Sequence, residues 1–591
     1  MTVGTRLLPL ATLSLLFGCA ASPPSHAPHS VAPSQTESAS RLPPAPAVNA
    51  PAASPAVGSG AQSSELGRID FPVSGSEKCA QHFRDGMSAL HSFFYDRAHA
   101  SFEAALKVDA ACAMAGWGDA MAHVHPIWHE RDLAKGRAAL ARVREDGLTQ
   151  KERAFVEVAR ALFAVDDMKE ANAAWLRKAA QMHLDFPDDD EVALQHSLAL
   201  LAVYGYDRAH VEGQMEAGAI ALGVLQRRAD HPGAAHYVIH AFDSRDHAVL
   251  ALPAARLYAR IAPAAGHALH MPSHTFVHLG MWRDVVPSNE RAFAASVDWE
   301  RSRGHTSSTF DWHAHSWLVA GLLELGQYGR AKQVIDEGRA MLVAAKDDTA
   351  LHRSNYADEV AAYVTHTGRW KEADDLLVPV FAPMSDETAT AESMACATHA
   401  PGGSGAFRMP LALFARLVGN AVRAEAALQM GDFATAKKRV ADYKAVRAQV
   451  APWAKTLPPG LVATWEAREE TLLARADTAT KGPKLAFDAL ERAARAADER
   501  VVAGPVWLPP ARSTLAAALL VAGKAKEALT AYERVLDVHT RHAPALLGAA
   551  RAAKAAGDGQ KAKTYFAQLA EQWRDADADL PALSEVQTNG R

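Results

Sequence analysis

A spacing of 34 residues constrains what this chain folds into more tightly than any other feature. Gly523, Ala528, Tyr532 and Val535 recur as Gly557, Ala562, Phe566 and Leu569, every member displaced by 34 positions. The order of residue types has a physical reading. A glycine closes one helix, a small residue five positions later lets the next helix approach closely, and an aromatic or aliphatic residue one turn on fills the groove between them. The same order appears at Gly280, Val285 and Asn289, at Gly326, Ala331 and Ile335, at Gly368, Ala373 and Leu377, and at Gly431, Ala436 and Val440. A first unit shows Ala98, Phe102 and Ala105. Alanine-rich segments with apolar residues every three or four positions run from Phe83 almost to the C-terminus, and β-branched alternation is nearly absent. An all-α chain of repeated helical hairpins is expected.

A helical hairpin of this length is the signature of the tetratricopeptide (TPR) repeat, whose units stack into a superhelical solenoid with the first helix of each pair lining the concave surface. Between about Asp119 and Ala202 the period blurs, although LTQKERAFVEVARALF and PDDDEVALQHSLALL still read as helices. The polar, Gly-rich run MSDETATAESMACATHAPGGSG marks a boundary between two arrays. The expected division is a histidine-rich array over 66–385, a loop over 386–405, a C-terminal array over 406–580 and a tail over 581–591.

The first 19 residues read as a bacterial lipoprotein signal. Arg6 supplies positive charge, LLPLATLSLLF is an apolar core too short to span a bilayer, and Leu16-Phe17-Gly18-Cys19 places Cys19 where it would be lipidated and become the mature N-terminus. Ala20 after it points to outer-membrane sorting, with the protein at the periplasmic face. Residues 20–65 are Pro, Ala and Ser with almost no large apolar side chain, the composition of a disordered tether. An exported compartment permits disulfides, and Cys79 and Cys112, separated by nearly one repeat, are a candidate pair. A net charge of −5 and a pI near 6.6 give no electrostatic case for nucleic acid.

The candidate site is a concentration of imidazole. Eleven of the 27 histidines fall between His231 and His315. The helix expected after Asp230, with Pro232 in its first turn, carries His236, His240 and Asp243 within about 60° of one face. One repeat later His267, His270, His274 and His278 form a second stripe, interrupted by Pro272, which starts or kinks a helix there. Both stripes belong to concave-lining helices packed about 8–10 Å apart, and the next such helix adds His313. Neutral imidazole is the commonest ligand for Zn, Cu, Fe or Ni. The expected ligand set is His236, His240, His270 and His274 around one ion, with His267, His278, Asp243 and His313 as additional ligands or supports. Structural histidines fixing tight helix contacts are the competing reading. No HExxH, GxSxG or phosphate loop occurs, so no catalytic motif is recognisable.

The runs CAMAGWGDAM, HPIW, HYVIHAFD, ALPAARLYARIAPAAGHALHMPSHTFVHLGMW and LPPARSTLAAALLVAGKAKEALTAYERVL resemble a group of exported bacterial TPR proteins, over most of the chain from Cys79 to Trp573. That resemblance implies the fold and export, with no settled activity. The functional expectation is a protein that binds an envelope protein or peptide in its concave groove, touches the membrane only through its lipid, and carries a candidate transition-metal site. The alternatives are a pure interaction scaffold and an undiscovered metalloenzyme.

Overall fold

Each repeat glycine turns the chain through a left-handed corner. Gly523 and Gly557 have φ of +75° and +82°, and Gly280, Gly326, Gly368 and Gly431 lie in the same region, where a side chain is strained. The computed structural model describes residues 65–205, 211–345, 350–383, 410–454, 457, 461–477, 483–498 and 504–590. The leader, Cys19, the tether up to residue 64 and the loop expected over 386–405 lie outside them.

The chain is an all-α solenoid of TPR-type hairpins. Its N-terminal part comprises α1 (Glu77–His91), α2 (Tyr95–Val108), α3 (Ala113–Met121), α4 (Leu133–Leu140), α5 (Gln150–Ala164), α6 (Met168–Asp185), α7 (Asp190–Tyr204) and α8 (Val211–Arg227). The histidine-rich part follows as α9 (Pro232–Ala241), α10 (Ala248–Ile261), α11 (Gly266–His270), α12 (Pro272–His278), α13 (Trp282–Ser302), α14 (Trp312–Glu324), α15 (Tyr328–Ala344) and α16 (Ala350–Thr367), with two single turns α17 (Ala373–Leu376) and α18 (Val378–Phe381). The remainder is α19 (Leu411–Gln429), α20 (Phe433–Val450), α21 (Leu461–Ala476), α22 (Pro483–Asp498), α23 (Ala511–Val521), α24 (Ala525–Val538), α25 (Ala543–Ala555), α26 (Gly559–Gln572) and α27 (Leu583–Gly590). Among the described residues the one sheet pairs Val124–His125 with Glu130–Arg131 around the HPIW turn.

Most helices pack on their sequence neighbours, as stacked hairpins require, and α16 packs directly on α19 across the polar run. The small residues act as the repeat demands. Ala528 and Ala331 are fully buried, and the ring of Tyr532 lies so close to Gly548 that a Cβ there would meet it at 2.3 Å. The N-terminal core is aromatic, with Phe71, Phe83 and Phe155 in edge contacts and Trp117 against Phe155. A disulfide joins Cys79 on α1 to Cys112 at the start of α3, with Cα atoms 6.0 Å apart.

The C-terminal hairpins fold back onto the middle of the solenoid, and one carboxylate fastens them. Glu324, the last residue of α14, accepts the Nδ1–H of His542 at 2.6 Å and the backbone N–H of Ala543, the first residue of α25, at 2.6 Å. His366 approaches the same carboxylate at 3.4 Å. The backbone carbonyl of Glu324 accepts from Gln572 Nε2 at 2.8 Å and Trp573 Nε1 at 3.1 Å. An anion at a helix N-terminus is favourable, and Trp282 donates to the carbonyl of Arg541 beside it at 3.2 Å.

Burial opposes the charge on Glu324, but His542 and His366 overcome it and hold the carboxyl well below its ordinary value of 4.5. A depressed acid contributes stability above its unfolded pKa and loses it as pH falls. The clasp is therefore complete above pH 4.5 and weakens in acid below it, which protease release of the C-terminal hairpins across a pH series will follow. Glu324→Ala strands the donors and costs about 3–5 kcal/mol in denaturant unfolding at neutral pH. Replacing Cys79 and Cys112 together by Ser removes about 2–4 kcal/mol, measured the same way.

Candidate metal centre

The helices bearing the site start where the sequence caps them. His231 precedes α9 and its Nδ1 accepts the backbone N–H of Ala234, with Pro232 in the first turn, while the Asp311 side chain accepts the N–H of Ala314 at the start of α14. At Pro272 the chain divides into two short helices, α11 and α12, joined through Met271 with helical dihedrals. The segment remains nearly helical, so His267, His270, His274 and His278 keep their stripe.

The four-histidine set His236, His240, His270 and His274 does not close on one point. His267 and His270, one turn apart on α11, look in different directions and split the stripe. His236, His240 and His267 bring one ligand nitrogen each to within 4.8 Å of one another. His270 and His274 do the same with His313 from α14. Two neighbouring three-imidazole clusters result, and their adjoining rings, His267 and His270, have centroids 6.4 Å apart.

The polar contacts decide which nitrogen each ring presents. His236 donates its Nδ1–H to the carbonyl of His91 at 2.7 Å, which leaves the Nε2 lone pair facing Nε2 of His267 at 3.1 Å. His274 donates Nδ1–H to the Asp243 carboxylate at 2.9 Å. His270 donates Nδ1–H to Oδ1 of Asn289 at 2.7 Å, and the Asn289 amide is oriented by its own Nδ2–H bond to the Val285 carbonyl at 2.9 Å. Carboxylates and carbonyls only accept, so both rings donate outward through Nδ1 and, without a further proton, meet lone pair to lone pair at Nε2. Those two nitrogens are 3.1 Å apart. A cation between them, a proton or a metal ion, resolves the conflict.

Asp243 also accepts Nε2–H from His278 at 3.2 Å. Burial opposes its charge, but His274 and His278 hold the carboxyl well below its ordinary range. In the first cluster burial, with neighbouring imidazoles adding to it, presses His267 well below its usual value and His236 to about 3, so both stay neutral at physiological pH. The buried Asp243 anion favours a cation, proton or metal ion, on the rings that bond it.

Aromatic rings wall the site. Phe93, in the turn between α1 and α2 at φ +52°, lies edge-on to His236 at 4.4 Å and stacks on His240 and His267 at 5.7 Å. Trp317 stacks on His274 at 4.5 Å, and Trp128 of the HPIW turn meets His267 edge-on at 6.0 Å. His236, His270 and His274 are all at most 2% exposed, so the histidines form an interior site and do not line an open groove. A small cavity is lined by His278, which bonds Asp243, and by Trp282, His539 and the clasp residues Glu324 and His542.

Phe93 and Asn289 carry roles that spacing alone does not reveal. Nor does the sequence show that His91 and His231 both bond the buried Glu191, at 2.9 and 3.0 Å, or that His366, which stands alone in the sequence, serves Glu324. Of the HPIW histidines, His125 pairs with Glu130 at 3.3 Å and His129 meets Asn172 at 3.3 Å, while His123 stands in a separate group with His99 and Asp119.

No family model matches the chain, and no curated protein matches it. Among solved structures it is similar to human IFIT1 in a dimer with m7Gppp-AAAA, at 13% identity and a TM-score of 0.34, covering 86% of this chain and 96% of that one. Human IFIT1 with PPP-AAAA gives 12% identity and a TM-score of 0.35 over 86% and 96%. Yeast Tom70 gives 10% identity and 0.30 over 87% and 92%.

Asp243→Ala removes the acceptor for two imidazoles and leaves them buried. It lowers the stability of metal-free protein by about 3–5 kcal/mol in denaturant unfolding, whereas Asp243→Asn, which keeps an acceptor oxygen, costs less.

Proposed function

We propose that this chain is an exported metal-binding protein whose helical solenoid holds transition-metal ions in its two three-histidine clusters. The observation that carries the reading is the inward-facing Nε2 pair of His270 and His274, 3.1 Å apart, with both Nδ1 atoms committed to Asn289 and Asp243. A ligand histidine held through its other nitrogen by a carboxylate or carbonyl is the usual arrangement of a metal site, because the outer bond fixes the ring and raises its basicity. The first cluster repeats it through His236 and the His91 carbonyl. Three neutral imidazoles with an open position suit Zn, Cu, Fe or Ni.

Export through the leader and anchoring at Cys19 belong to the same proposal, and the Cys79–Cys112 disulfide supports an oxidising compartment. Among the described residues no helix is long and apolar enough to cross a membrane, so the lipid is the proposed membrane contact. An envelope protein or peptide on the solenoid surface is the proposed partner.

Metal analysis of the purified chain after reloading is expected to give about two ions per chain. Paired substitution of His236 and His267 by Ala removes one, and His270 with His274 removes the other. Asp243→Asn weakens retention about 10–100-fold, read by competition with a chelator. Less than one ion per chain, unchanged in both double variants, rejects metal binding in favour of a scaffold with structural histidines.

A further inference from the structure

The two clusters are neighbours on one short helix. His267 closes the first and His270 the second, three residues apart on α11, and the five-residue helix allows little relative movement between them. The remaining ligands come from elements packed on either side, α9 behind His267 and α12 with α14 around His270. Two ions held this way sit on a shared wall, in the arrangement of paired-metal sites.

The ligand chemistry narrows the ions. Six imidazoles supply the two clusters, and neither includes a carboxylate. Asp243 is engaged on the outer nitrogen of His274, and Cys79 and Cys112 are bonded to each other. Paired Mg or Mn sites draw on carboxylate and water oxygen. A neutral, all-nitrogen, three-coordinate set offers no negative charge to balance higher oxidation states. It suits copper, which the divalent series also favours most strongly at nitrogen ligands. Three ligands leave each ion one open position, and the rings of Phe93, Trp128 and Trp317 pack against His267 and His274.

Resting on the metal-binding reading above, we propose that the two clusters form a single coupled dicopper centre that binds dioxygen. Each of two Cu(I) ions gives one electron to O2. The products are two Cu(II) ions and one peroxide dianion held between them, with no proton consumed, and return of the two electrons releases O2.

The test uses the full chain, stripped of metal with a chelator, loaded anaerobically with Cu(I) and then exposed to air. The proposal expects two copper ions per chain and, after oxygenation, loss of the Cu(II) electron paramagnetic resonance signal through coupling. A near-ultraviolet absorption band appears with O2 and disappears when O2 is removed. His267→Ala, checked for native circular dichroism, leaves one copper that on oxidation gives a full paramagnetic signal. His240→Gln, which preserves side-chain bulk, does the same should His267→Ala unfold. Two coppers per chain with full, uncoupled signal in the parent protein overturn the dicopper centre and leave metal binding standing. Failure to bind copper while two zinc ions bind overturns it equally, and failure to bind any metal overturns both readings.

Discussion

A carboxylate buried inside a helical solenoid must be surrounded by donors, and this chain meets that demand with imidazole. Glu191 takes His91 and His231, Asp243 takes His274 and His278, Glu324 takes His366 and His542, and Glu359 takes His315 at 2.7 Å. Glu191 and Glu324 each draw partners from two helices distant in sequence, while Asp243 and Glu359 each reach across to a single neighbouring helix. Nearest-neighbour stacking alone gives an open spring. The buried acids add contacts between helices that are not sequence neighbours, and Asp243 itself orients His274 in the second cluster.

That rule also separates the two kinds of histidine that the sequence mixes. A ring whose inward nitrogen meets a carboxylate, as His231 does at Glu191, is fully accounted for as a donor. In the clusters the outer nitrogen meets the acceptor and the inner nitrogen meets another imidazole. His274 shows the distinction on a single ring, with Asp243 on one side and His270 on the other. In the second arrangement a proton or a metal ion between the two inner nitrogens resolves the contact.

Much of the fold was legible because its signals are local. The 34-residue order of glycine, small residue and aromatic determines corner, approach and groove within one hairpin, and the glycines turn at those places with positive φ. The helical faces bearing His236 with His240 and His270 with His274 follow from spacing in the same way. The grouping does not, because it depends on the orientation of α11 between two neighbours. A stripe predicts a shared face, while the structure turns His267 towards α9 and His270 towards α14. Phe93 and Asn289 were illegible for a related reason. One comes from a turn 143 residues before His236, the other from a second helix of a hairpin, and neither has a spacing relation to the ring it serves.

The Glu324 clasp spans 218 residues between its carboxylate and His542. α14 carries that clasp at its last residue and His313 near its first, so the third ring of the second cluster and the C-terminal hairpins are joined through one helix. By the reciprocity of linked equilibria, whatever the proposed cluster gains at one end of α14 would act on the clasp at the other.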